Sequence, residues 1–169
     1  MTGLAIEQAR AVAPLLIFGW GNPSRGDDAL GPAFVEQAAL MTGTAAGTRI
    51  EYLTDFQLQV EHALDLLERE RVLFVDAGIG ITTPFATSRL HAAADSGVST
   101  HAMSPCAVMQ VFERLHGHAP PPCTLLAISG VCFELGAPLS EAARDNLASA
   151  LAWLPDWLGA TSATLTHGG

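Results

Sequence analysis

Three stretches of this chain are apolar without alternation: residues 15–18 in PLLIFGWGNP, residues 72–75 in RVLFVDAG and residues 125–128 in CTLLAISGV. A strand with one wet face alternates apolar and polar side chains, whereas a strand buried on both faces reads as a continuous apolar run. Such strands need cover on both sides. Segments with helical character follow them in DDALGPAFVEQAALM, SPCAVMQVFERL and LSEAARDNLASALAWLPDWL. The alternation predicts an α/β fold in three layers, a mainly parallel twisted sheet with helices on both faces. In such sheets ligands collect outside the carboxyl ends of the strands.

The remaining elements follow from local signals. TRIEYL reads as a second strand, and TSRLHAA as a shorter one. QLQVEHALDLLERE is amphipathic and predicts a helix with Leu58, Val60, His62, Ala63, Leu66 and Leu67 mostly on one face. Ser104 followed by Pro105 marks a helix start, as does Ser140 followed by Glu141. Asp27 or Asp28 is placed to cap the helix after the first strand. With 169 residues and no repeat or long linker, residues 1–169 are expected to form one domain. Residues 1–13 read as an N-terminal extension and residues 160–169 as a flexible tail.

Composition narrows the function. The net charge is -9, so the surface repels a phosphate backbone and a nucleic-acid partner is not expected. No basic cluster suits a membrane surface, and no run reaches the roughly 18 apolar residues of a span. Cys106, Cys123 and Cys132 have neither CxxC nor finger spacing, which argues against a disulfide framework or structural zinc. The N-terminus, MTGLAIEQARAVAP, lacks the apolar stretch of a signal peptide. Together these features point to a cytoplasmic protein.

The chemistry concentrates in three places. GWGNPSRGDDALG, from Gly19 to Gly31, joins a strand to a helix but is not a phosphate loop. Ser24 stands where GxGxxG requires glycine, and Asp27 and Asp28 would repel a phosphate. Twin carboxylates suit a cation. Asp76 ends an apolar strand, where a charge is costly unless paired. His101 precedes a helix start in STHAMSP. The loops carrying Asp28, Asp76 and His101 are expected at one end of the sheet. Two carboxylates and an imidazole suit a divalent zinc, nickel, manganese or iron ion with positions left open. Asp27, Asp55 and Gln57 are further candidates for contact with a substrate. His116 and His118 read as solvated loop residues, and Cys106 as core packing.

Together these pieces resemble the hydrogenase maturation endopeptidases. That family opens with a strand and a GxGNxxxxDD/E-x-x-G loop, here FGWGNPSRGDDALG; it continues with an apolar strand ending in Asp-Ala, here LFVDAG, and has a histidine before a helix, here STHAMSP. The resemblance runs from about Leu15 to about Leu158. It implies an endopeptidase that removes the C-terminal extension of a nickel-iron hydrogenase large-subunit precursor after nickel insertion. It also implies that Asp28, Asp76 and His101 are the catalytic and metal-contacting residues. Nickel would arrive with the substrate, and no permanently bound cofactor is expected. Many members carry Asp-Gly-Gly-Thr after the second strand; this chain has Thr54-Asp55-Phe56-Gln57, similar to the subgroup serving NAD-reducing soluble hydrogenases. Competing readings are a metallohydrolase with its own divalent ion, a non-catalytic nickel-sensing or chaperone module, and a nucleotide-binding domain.

Overall fold

The computed structural model describes residues 11–43, 47–95 and 102–160. Its frame is a five-stranded sheet: β1 (Leu15–Trp20), β2 (Ile50–Asp55), β3 (Arg71–Gly78), β4 (Phe85–Arg89) and β5 (Cys123–Ser129), in the order β2-β1-β3-β5-β4. The β1–β2, β1–β3 and β3–β5 pairs are parallel, and β4 runs antiparallel along β5 at the edge. The helices are α1 (Leu30–Thr42), α2 (Pro105–His116) and α3 (Glu141–Gly159).

The continuous apolar runs place β1, β3 and β5 at the centre of the sheet. Because side chains alternate across a strand, β1 sends Leu15 and Ile17 to one face and Leu16 and Phe18 to the other, all at most 2% exposed. The first face packs with Leu73, Val75, Leu126 and Ile128 against α1 and α3. The second packs with Val72 and Phe74 against α2 and the 58–66 segment. The three layers follow from these two cores. Ser104 caps α2 by accepting a hydrogen bond from the Ala107 amide, with Pro105 in the first turn, and Ser140 caps α3 through the Ala143 amide.

Two local expectations need correction. The amphipathic 57–70 segment forms only a 3-10 helix, Val60–Leu66. Its buried face is narrow (His62, Ala63 and Leu66), while Val60 and Leu64 are exposed. The chain turns out at Glu68 with φ 62°, so too little apolar surface is covered to sustain an α-helix. Neither Asp27 nor Asp28 caps α1, which has no side-chain cap. A 3-10 turn, Gly26–Ala29, leads into that helix and holds both carboxylates outside it. The N-terminal extension and C-terminal tail fall mostly outside the described residues.

Topology fixes where a site can form. From β1 the chain goes outward to β2, then returns to β3 on the other side of β1. The carboxyl ends of β1 and β3 therefore flank the point where strand order reverses, the usual crevice of open α/β sheets.

Candidate functional site

The loop after β1 is held by backbone approach so close that side chains are excluded. A Cβ on Gly21, whose φ is 143°, would lie 1.9 Å from the Asp28 carbonyl oxygen. One on Gly31 would lie 2.4 Å from the Trp20 carbonyl oxygen and 2.8 Å from that of Val75. Glycine at these positions brings the start of α1 against the ends of β1 and β3. The Asn22 amide then donates to Asp28 Oδ2 at 2.8 Å, and the Asp28 amide donates to the Arg25 carbonyl at 3.0 Å. Asp28 is thus held at the β1 end of the crevice by the loop it belongs to.

Asp76 lies one residue beyond Val75, which pairs with Gly19 of β1. By strand alternation it faces the same side as Phe74, toward α2. It lines an open cleft of about 460 Å³ with Trp20, Asp95, Met103, Ser104 and Pro105. Trp20 stands edge-on to Phe74, ring centroids 5.9 Å apart, and walls the cleft from below. Burial pushes the Asp76 carboxyl up to about 7, against the Ala77 amide, which donates to its Oδ1 at 2.8 Å and favours the anion; the nearby Asp28 charge raises it further. A partly buried carboxyl beside a second carboxylate is a poor bare anion. Burial, with a like charge nearby, favours the protonated form of Asp76.

The structure thus brings Asp28 and Asp76 together at the switch point. His101 lies outside the described residues, and its neighbour Ala102 lines the same cleft as Asp76. Among the described residues, no three His, Cys, Asp or Glu side chains are grouped to hold a metal ion.

Asp27 corrects an expectation. It is 0% exposed and turned away from the cleft. Its carboxylate accepts hydrogen bonds from the amides of Val131, Cys132 and Ser140 and from the Ser140 hydroxyl, at 2.8–3.0 Å. Burial opposes the anion, but these four donors outweigh it and hold the carboxyl below its usual range. Asp27 ties the 131–140 loop to the first turn and has no surface to offer a substrate. The two adjacent aspartates differ in partners: Asp27 is bound to the 131–140 loop, and Asp28 accepts from the Asn22 amide of its own loop.

Asp55 is the last residue of β2, in register with Trp20. Its backbone carbonyl accepts from the Gly21 amide at 3.1 Å, which stitches it to the loop carrying Asp28. Gln57 is half-buried in the turn that follows. Asp95 sits in no motif and carries no signal in the sequence. It accepts hydrogen bonds from the Ser104 amide and hydroxyl and is the second carboxylate, with Asp76, in the cleft lining. His116 and His118 both pack against Phe112, at 4.5 and 5.3 Å between ring centroids. All three cysteines are free.

Comparison with solved structures finds this fold in proteins of low sequence identity. The [NiFe] hydrogenase maturation protease HycI from Thermococcus kodakarensis KOD1 aligns with a TM-score of 0.65 and 19% identity, covering 88% of this chain and 94% of that one. The hydrogenase maturating endopeptidase HybD from E. coli aligns with a TM-score of 0.66 and 22% identity, covering 85% and 91%. A hydrogenase 2 maturation peptidase from a Thaumarchaeota archaeon gives 0.59 and 19%, covering 86% and 97%. No family model matches the chain, and no curated protein matches it by sequence. At these identities the likeness establishes a shared fold. Among the described residues, no helix is long and apolar enough to cross a membrane.

Proposed function

We propose that this chain is a cytoplasmic endopeptidase that removes the C-terminal extension of a nickel-iron hydrogenase large-subunit precursor after nickel insertion. The observation that carries the reading is the Asp28–Asp76 pair at the switch point, with the Asp76 carboxyl raised to about 7. The fold shared with HycI and HybD supports it. In this reading the nickel belongs to the substrate and is the recognition signal, and the protein holds no cofactor of its own at rest. Asp28, Asp76 and His101 approach the nickel as it docks. Asp76 gives up its proton when a cation replaces it, as carboxylate ligands do. Docking places the scissile bond next to the same carboxylates, a proximity effect. A carboxylate takes the proton of the attacking water, and backbone amides or the nickel steady the oxyanion. The likeness of the Thr54-Asp55-Phe56-Gln57 turn to the subgroup serving NAD-reducing soluble hydrogenases supports a substrate of that class.

The test is mass spectrometry of nickel-loaded precursor incubated with wild type and with Asp28→Ala, Asp76→Ala and His101→Ala. Wild type is expected to shorten the precursor at its C-terminus, and each variant to lose most of that activity, about a hundredfold or more for a positioned acid–base group. Full cleavage by all three variants would overturn the assignment. Binding of the precursor without shortening by wild type would favour a nickel-sensing or chaperone module instead.

A further inference from the structure

Asp55 stands at the β2 end of the rim with an unusual support. His62 is 9% exposed, yet both ring nitrogens are partnered. The Gln59 amide donates to His62 Nδ1 at 2.8 Å. A backbone amide can only donate, so Nδ1 carries a lone pair and the ring proton sits on Nε2. That Nε2–H donates to Asp55 Oδ2 at 3.1 Å. The edge-on contact with Phe18, at 4.8 Å and 70°, fixes the ring plane. The Phe56 amide donates to the other oxygen, Oδ1, at 2.6 Å.

The two ends of this pair differ in exposure. His62 is anchored in the core beneath α2, whereas the Asp55 side chain is 37% exposed. A carboxylate oxygen can accept more than one hydrogen bond, so Asp55 keeps acceptor capacity toward solvent. The adjoining Phe56 is 66% exposed, and Val60 and Leu64, in the short helix that carries His62, are 57% and 60% exposed. A fixed acceptor next to apolar side chains suits a polypeptide better than a lone ion. We propose that His62 is a positioning residue that holds the Asp55 carboxylate ready to accept an N–H group of the polypeptide bound along this rim. Fixing the carboxylate beforehand removes an ordering cost from binding. The inference rests on the peptidase reading and assigns the β2 end of the same site to substrate binding.

The experiment is steady-state processing of nickel-loaded precursor, with kcat and KM separated, alongside thermal melting. His62→Phe keeps the ring against Phe18 and removes both hydrogen bonds; His62→Gln restores a side-chain N–H donor. His62→Phe is expected to raise KM about tenfold with kcat within about twofold. His62→Gln should recover most of the loss. Asp55→Ala should raise KM, and adding His62→Phe to it should cost nothing further. A purely structural His62 would lower the melting temperature while leaving KM alone. Unchanged KM in folded His62→Phe, or additive effects with Asp55→Ala, would overturn the proposal. Should His62→Phe not fold, unchanged KM in Asp55→Ala overturns it instead. Absence of cleavage by wild type would remove the peptidase reading and this inference with it; cleavage by wild type with unchanged KM in the variants removes the inference alone.

Discussion

Replacing Asp76 with asparagine isolates the electrostatic cost of the crevice. Asparagine has nearly the same shape, stays neutral at every pH and keeps an oxygen for the Ala77 amide. In the folded protein burial, helped by the Asp28 charge, raises the Asp76 carboxyl from 3.8 to about 7. Between those two values the folded state binds more protons at this position than the unfolded state does. Stability therefore falls as pH rises through this window and levels off above it. At about 1.4 kcal/mol for each pH unit between the two values, the loss amounts to about 4 kcal/mol. Urea denaturation of wild type and Asp76→Asn from pH 3.5 to 8.5 measures it. The two should match at the acid end, where both side chains are neutral. The variant should be several kcal/mol more stable at the alkaline end. Adding Asp28→Asn to wild type should shrink the gap, because one of the causes is removed. Parallel curves for wild type and Asp76→Asn across the whole range would refute the claim that the crevice holds a proton on Asp76.

Two further predictions concern the framework. Asp27→Ala leaves three part-buried amides and a hydroxyl without their acceptor and should cost about 3 kcal/mol at pH 7, read by urea denaturation. Because the Asp27 carboxyl is held below its usual 3.8, that contribution is present above this value and fades as pH falls through the lower folded value, so wild type and variant should converge in strong acid. Gly31→Ala puts a Cβ 2.4 Å from the Trp20 carbonyl oxygen, where only backbone can yield; the variant should lose at least about 3 kcal/mol or fail to accumulate as folded protein, measured by thermal melting.

Where the sequence was legible, a strong local or periodic signal carried the information. Unbroken apolar runs in β1, β3 and β5 could be read because strands covered on both faces have no polar positions to spare. The Ser104–Pro105 and Ser140 helix starts could be read because capping is decided within a few residues. The 57–70 segment misled because its apolar positions suit a helix, whereas the exposure of Val60 and Leu64 depends on what the rest of the fold leaves uncovered. Asp27 and Asp28 could not be told apart from spacing alone. Their roles separate only when the 131–140 loop, more than a hundred residues away, meets one of them. The same holds for Asp95 and for His62, whose importance lies in partners set by tertiary contact. The antiparallel direction of β4 has no signature in its short, polar sequence either.

The crevice owes the placing of its two carboxylates to backbone geometry more than to the count of acidic residues. Asp28 is placed by a loop in which two glycines allow carbonyls of β1 and β3 to press against the start of α1. Asp76 is placed by a strand whose preceding four residues are fully buried. These backbone contacts are set by the fold, and with them the burial that raises the Asp76 carboxyl and the Asp28 charge that adds to it. A proton on Asp76 offsets the cost of that burial. Under the proposed function, a cation brought by the substrate would take the place of that proton, so the site would respond more to a polypeptide that carries one than to the same polypeptide without it.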